Sequence, residues 1–325
     1  MNGVALPASR KRTSVIRVAG SIALLVVMAL VFPRQKLLAA LRSIPLSTLA
    51  AVIPIYLLIH VVGCLKWRLI VNRAGASLSF GEAVRCYFAG LFSNIFIPSM
   101  IGGDVVMVAM AASRSGKPES VVSGTLASRV LDFGALIVVA CFAMFVLPHG
   151  PNPTAERLID LILAIFLGAG VLACILAFLL RRKIPARAQK YWLAFSIIWQ
   201  RPEFAAGVFA LTIGLQTGLI ALTAWLGAGC GLVLPLRAWL FAWPLAKLSA
   251  MVPITLAGIG TREFVLAALL ARFGAEPAAA AGVGLAWDAV FIVGGFIGGA
   301  ISKSASLFMT ATPSPSTAPS RPCTT

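Results

Sequence analysis

The chain has 325 residues, 60% of them hydrophobic and only 11% charged. A soluble domain carries roughly a quarter charged residues, so this composition excludes one and leaves an all-α polytopic membrane protein. The net charge of +17 does not signal nucleic-acid binding, because the basic residues sit between apolar segments, where the positive-inside rule puts them, rather than beside aromatic platforms.

The first segment is basic, with Arg10, Lys11 and Arg12 ahead of an apolar run. It has the order of a secretory signal, but no small-residue cleavage site follows, and the chain continues Pro33, Arg34, Gln35, Lys36. We therefore expect a cytoplasmic N-terminus over 1–14 and an uncleaved first transmembrane helix. Apolar periodicity and flanking charge predict six full spans near 15–32, 47–69, 120–147, 158–180, 204–229 and 277–301. A bilayer crossing needs about 20 such residues.

Two further apolar regions, 82–113 and 238–273, are each interrupted by proline and glycine. The first break runs Ile97, Pro98, Ser99, Met100, Ile101, Gly102, Gly103, Asp104. The second runs Val252, Pro253, Ile254, Thr255, Leu256, Ala257, Gly258, Ile259, Gly260, Thr261, Arg262, Glu263. Lipid offers no hydrogen bonds, so an interrupted backbone at membrane depth must be enclosed by protein or line a wet cavity. The halves are mostly too short to cross, and both regions are read as re-entrant broken helical hairpins. Offset by 158 positions, Gly102 meets Gly260, Asp104 meets Arg262, Arg114 meets Arg272 and Gly116 meets Gly274. Three full spans lie between the two regions, an odd number that would invert the second. Inverted repeats with paired breaks point to a transport site. After Lys303 the composition turns to Ser, Thr and Pro, so the membrane domain is expected over 15–303 and a disordered tail over 304–325.

With both termini cytoplasmic, 18 of the 27 Lys and Arg residues fall inside. Six fall outside (Arg34, Lys36, Arg42, Arg157, Arg237, Arg272), and Arg129, Lys247 and Arg262 fall within the membrane. That bias supports the orientation. Trp67 and Arg68, at the end of the second span, are expected as interfacial anchors. Six cysteines without a CxxC and only two histidines argue against a metal site or a disulfide framework, and no cofactor is expected.

Intramembrane charge is costly and marks function or an internal pair. Asp104, opening the helix after Gly102 and Gly103, would cap it, hold a counter-charged Arg, or help shape a site where the helix N-terminus meets an anionic headgroup. Glu263 suits the N-terminal dipole of its own helix, after Gly260, whereas Arg262 does not and needs Asp104, Asp288 or a lipid phosphate. Arg262 is the strongest candidate on this reading. Arg129 and Asp132 lie three residues apart on one helix face, as an internal pair or a headgroup site. Asp288 has no local partner, and Asn94 and Gln216 suit interhelical hydrogen bonds. No Walker sequence, GxSxG or HExxH occurs, so no enzyme activity is expected.

The ordered set of motifs resembles the membrane region of lysylphosphatidylglycerol synthetases and their stand-alone relatives, the flippase-like integral membrane proteins. It comprises Trp67 and Arg68; Ser79, Phe80, Gly81, Glu82 and Ala83; Phe92 through Pro98; Gly102, Gly103 and Asp104; Ser128 and Arg129; Pro253; and Gly258 through Glu263. The resemblance covers about 14–303 and implies a bacterial inner-membrane protein that moves, or helps move, a lipid across the bilayer; the intramembrane arginines suit an anionic phospholipid, glycophospholipid or related lipid. It implies membrane lipids as ligands and lipid-biosynthesis enzymes as candidate partners. No soluble synthetase domain like that of the two-part relatives is expected in these 325 residues, so that activity is not carried over. Two positions depart from the family pattern: Met107 stands where an Arg is common, and Ser128 where an acidic residue precedes the Arg, with Asp132 nearby instead. A membrane enzyme acting on a lipid carrier and a non-transporting scaffold of a lipid-biosynthesis complex are the alternatives.

Overall fold

The computed structural model describes residues 34–97, 102–146, 168, 186–250 and 260–311. Ten helices are described: α1 (Arg34–Arg42), α2 (Leu46–Arg73), α3 (Phe80–Phe96), α4 (Gly102–Ser115), α5 (Pro118–Val146), α6 (Ala186–Ile198), α7 (Pro202–Gly229), α8 (Leu236–Ser249), α9 (Thr261–Ala271) and α10 (Pro277–Ala311). The expected spans over 15–32 and 158–180, the break segments 98–101 and 251–259, and residues beyond 311 lie outside the described residues.

Within α2, α5, α7 and α10, four of the six expected spans appear as helices long and apolar enough to cross a bilayer. At 1.5 Å per residue, the 28 residues of α2 reach about 42 Å, more than the ~30 Å hydrocarbon core. Large apolar side chains point outward from them, including Leu58, Leu126, Phe142 and Trp225. Exposed apolar surface on this scale belongs in lipid. The fold is therefore that of a multi-pass all-α membrane protein. The last helix also runs past residue 303 to Ala311, beyond the expected domain end.

The helices flanking the breaks are shorter. α3 has 17 residues, α4 and α8 have 14 each, and α9 has 11. Each falls below the ~20 residues of a crossing. A capping box starts α3: the Glu82 amide donates to Ser79 Oγ at 3.3 Å, and the Ser79 amide donates to Glu82 Oε2 at 3.0 Å. Ahead of it, Asn72 and Arg68 both donate to the Leu78 carbonyl, at 2.8 and 2.9 Å. Arg68 thus fastens the α2–α3 turn. Trp67, expected at the interface, is 2% exposed, and its Nε1 donates to Thr125 Oγ1 at 3.0 Å. Its neighbours on α2 turn it into the bundle, where an indole needs a partner.

Packing between the halves is reciprocal. α4 lies on α5 and α9 lies on α10, so each post-break helix docks on the long helix that follows it. Meanwhile α3 packs on α10 and α8 packs on α5, each on the long helix of the other half. The pair α2 and α7 contact each other and both long helices. Exchanging α3–α4–α5 for α8–α9–α10 leaves this pattern unchanged, as a two-unit repeat requires. The main apolar core joins α2, α5, α7, α8, α9 and α10 through Val52, Ala140, Ile220, Trp239, Leu266 and Val290.

Candidate functional site

Both breaks deliver a glycine-opened helix into the bundle, and in each a side chain captures the backbone. At the first, Asn94 Oδ1 accepts the Gly103 amide at 2.8 Å. A Cβ on Gly103 would collide with the Gly90 carbonyl and with Asn94, so only glycine lets α3 and α4 meet this closely. At the second, Gly260 has φ 89°, a left-handed conformation that favours glycine. Its amide donates to Glu263 Oε2 at 2.5 Å. Glu263 is fully buried. An amide left free at a helix start needs such an acceptor.

The next residue pair carries opposite charge in the two halves. Asp104 lies in the first turn of α4, and its carboxylate receives a bidentate pair of bonds from Arg129 of α5: Nε to Oδ2 at 2.7 Å, and Nη2 to Oδ1. Arg262 of α9 donates through Nη2 to Asp288 Oδ1 of α10 at 2.5 Å. The short helix supplies the anion in the first half and the cation in the second. Both bonds tie a post-break helix to its long neighbour.

Around Arg129 lies a cavity of about 110 Å³ with charged and apolar side chains on its wall, room for several waters. Its lining includes His60, Lys66, Tyr87, Ser128, Arg129, Asp132, Gln216 and Lys247, from α2, α3, α5, α7 and α8. Lys66 Nζ meets Asp132 Oδ1 at 2.5 Å, and Arg129 Nη1 stands 3.7 Å from Asp132 Oδ2. Lys247 Nζ donates to Gln216 Oε1 at 3.1 Å. His60 Nδ1 shares a 3.2 Å hydrogen bond with the Tyr87 hydroxyl. Arg129 keeps 44% of its side chain accessible, against 12% for Asp104.

Arg262, Glu263 and Asp288 form a second cluster, apart from that lining. The guanidinium meets Glu263 Oε1 at 2.7 Å as well as Asp288, and lies 5.6 Å over the Trp243 ring. Two carboxylates therefore answer one cation. They offset the unfavourable placement of Arg262 at a helix N-terminus. Asp288 Oδ2 is buried with no hydrogen-bond partner. A row of rings separates the two clusters: Tyr87, His60, Tyr56, Trp287 and Trp243, with Tyr56 and His60 4.4 Å apart and Trp287 and Trp243 5.0 Å apart.

Of the residues expected to form a site, Arg129 and Asp132 line the cavity, with Asp104 paired behind them. Asn94, Gly102, Gly103 and Gly260 build the two breaks, and Arg262, Glu263 and Asp288 make the second cluster. The expected Arg129–Asp132 contact exists, but Arg129 bonds Asp104 more closely, because α4 enters the bundle beside it. Asp104 sits inside its helix rather than at the cap. Sequence reasoning did not assign Lys66, Lys247, His60 or Tyr87. Lys66 was counted with the cytoplasmic charges, yet it is 4% exposed, and an intramembrane cation is itself the signal that applied to both lysines. Met107 and Ser128, the two departures from the family pattern, both line the cavity.

The family model described as the lysylphosphatidylglycerol synthase TM region matches residues 14–299. No curated protein matches the chain.

Proposed function

We propose that this chain, which belongs to the lysylphosphatidylglycerol synthase transmembrane-region family, moves lipid headgroups across the bilayer through the cavity around Arg129. The family and the apolar helices make it a membrane protein linked to lipid handling. The carrying observation is a charged, partly accessible cavity between helices whose outer faces are apolar. Polar groups at this depth need protein or water partners. A headgroup supplies such partners while its acyl chains stay in lipid, so the cavity suits a flippase path. On this reading the two broken hairpins are re-entrant, the repeat is inverted, and the protein sits in the inner membrane with both termini cytoplasmic. No reaction chemistry is assigned to the cavity.

The test is translocation of a fluorescent-headgroup phospholipid in vesicles holding the purified protein. The double variant Asp104→Asn with Arg129→Gln removes both charges together and so leaves neither one buried alone. We expect it to fold with near-normal stability and to move lipid at least about tenfold more slowly, the scale of one lost charge-assisted hydrogen bond. Normal movement by that stable variant would remove the cavity from the path. A wild-type protein that moves no lipid would sink the transport reading itself.

A further inference from the structure

We infer that the cavity selects a lipid whose headgroup carries a net negative charge, such as a monoanionic phosphodiester, and that Lys247 makes the selection. This rests on the headgroup-path reading above, ties the anionic class expected from the sequence to a charge surplus in the cavity, and adds the residue that reads it.

The argument is a charge count around one cavity. Lys66 is matched by Asp132 at 2.5 Å. Arg129 is matched by Asp104, bidentately. That leaves Lys247, whose ammonium meets the neutral Gln216 oxygen at 3.1 Å and, among the described residues, no carboxylate in ion-pair contact. Among the described residues, the other carboxylates inside the bundle, Glu263 and Asp288, are held by Arg262 in the second cluster. Among the described residues three cations thus face two anions, and the surplus is one positive charge.

An ammonium has three donors and no acceptor. Gln216 takes one, and the cavity lies beside the remainder, with the hydroxyls of Thr125 and Ser128 on its wall. A buried cation without a counter-charge is costly, and an entering phosphate removes that cost. Lysine binds phosphate as a compact point charge, which suits a space of only about 110 Å³. A headgroup with a free amine and net positive charge would add to the surplus instead. A zwitterionic one brings its own cation beside its phosphate and gains less from Lys247.

The probes are phosphatidylglycerol (anionic), phosphatidylethanolamine (zwitterionic) and the lysyl ester of phosphatidylglycerol (cationic). Each is titrated against the purified protein in detergent with tryptophan fluorescence as the binding signal, and each is then assayed for translocation in vesicles. Wild type should bind phosphatidylglycerol roughly tenfold or more tightly than the other two, the scale of one hydrogen bond to a charged group. Lys247→Gln should abolish that preference without lowering the unfolding temperature, and Lys247→Arg should retain it. Should Lys247→Gln fail to fold, Lys247→Met replaces it as the charge-free variant. Equal binding of all three lipids by wild type, or an undiminished preference in the folded charge-free variant, overturns the inference. Anion-selective binding without movement of any lipid upholds the anion site and overturns the transport reading. Movement of all three at one rate does the reverse.

Discussion

Arg262 holds two carboxylates, so its removal and the removal of one of its partners have unequal consequences. Arg262→Ala would leave Glu263 and Asp288 facing each other inside the protein, the first fully buried. Breaking a buried pair by deleting one member costs about 3–5 kcal/mol. Asp288→Asn, by contrast, leaves Arg262 paired to Glu263 at 2.7 Å. It also places an amide where Oδ1 or the unpartnered Oδ2 now sits. We expect Arg262→Ala to lower the unfolding temperature in detergent markedly and Asp288→Asn to lower it little. Equal losses would show that the guanidinium does not organise the cluster. Of the partners its sequence position allowed, Asp104, Asp288 or a lipid phosphate, Arg262 meets Asp288, with Glu263 beside it. The local sequence did not choose among those partners, because Asp288 lies 26 residues away.

At the scale of the element, the first broken pair depends on glycine for close approach and the second for the left-handed backbone at Gly260. Gly103 is the sharpest case, since its missing Cβ leaves room for the Gly90 carbonyl and for Asn94. Gly103→Ala would push α4 away from α3 and strain the Asn94 bond to its amide. Overpacking of this kind costs about 1–3 kcal/mol. Gly214, within α7, has nothing near where a Cβ would be built, and alanine is the better helix former by up to about 1 kcal/mol. Gly214→Ala should therefore leave thermal stability unchanged or slightly raised, while Gly103→Ala lowers it. If both variants melt together, the contact between α3 and α4 is looser than the structure has it. The breaks themselves were legible in the sequence as proline and glycine inside apolar runs. Which side chain captures each freed amide was not, since Asn94 reaches forward nine residues and Glu263 back three.

For the whole molecule, the reciprocal packing of α3, α4 and α5 with α8, α9 and α10 makes a labelling prediction. Ser113 and Ala271 are exposed near the ends of α4 and α9, at nearly equivalent places in the two units. If the second unit is inverted, cysteines at these positions in a background without native cysteine react from opposite faces. Ser113→Cys should label from the cytoplasm and Ala271→Cys from outside, with a membrane-impermeant maleimide applied to right-side-out and inverted vesicles. Labelling of both from one face would end the inverted arrangement, though not the repeat.

Sequence alone determined what is local: the membrane class, four spans that the structure describes, the two breaks, and the family resemblance. Hydropathy and helix interruption act over one turn to one crossing, so they are written in consecutive residues. Tertiary structure decided which charges meet. Read along the chain, Arg129 and Asp132 were each other's nearest partners, three residues apart. In the bundle each has a closer partner on another helix, Asp104 on α4 and Lys66 on α2. Lys247 was visible as an intramembrane cation, but only the meeting of α7 and α8 puts it against Gln216 and beside the cavity. An ion pair is made within a few ångströms, and the rotation of each helix about its own axis settles which side chains come that near. That rotation follows from packing across the whole bundle, which no single stretch of sequence contains.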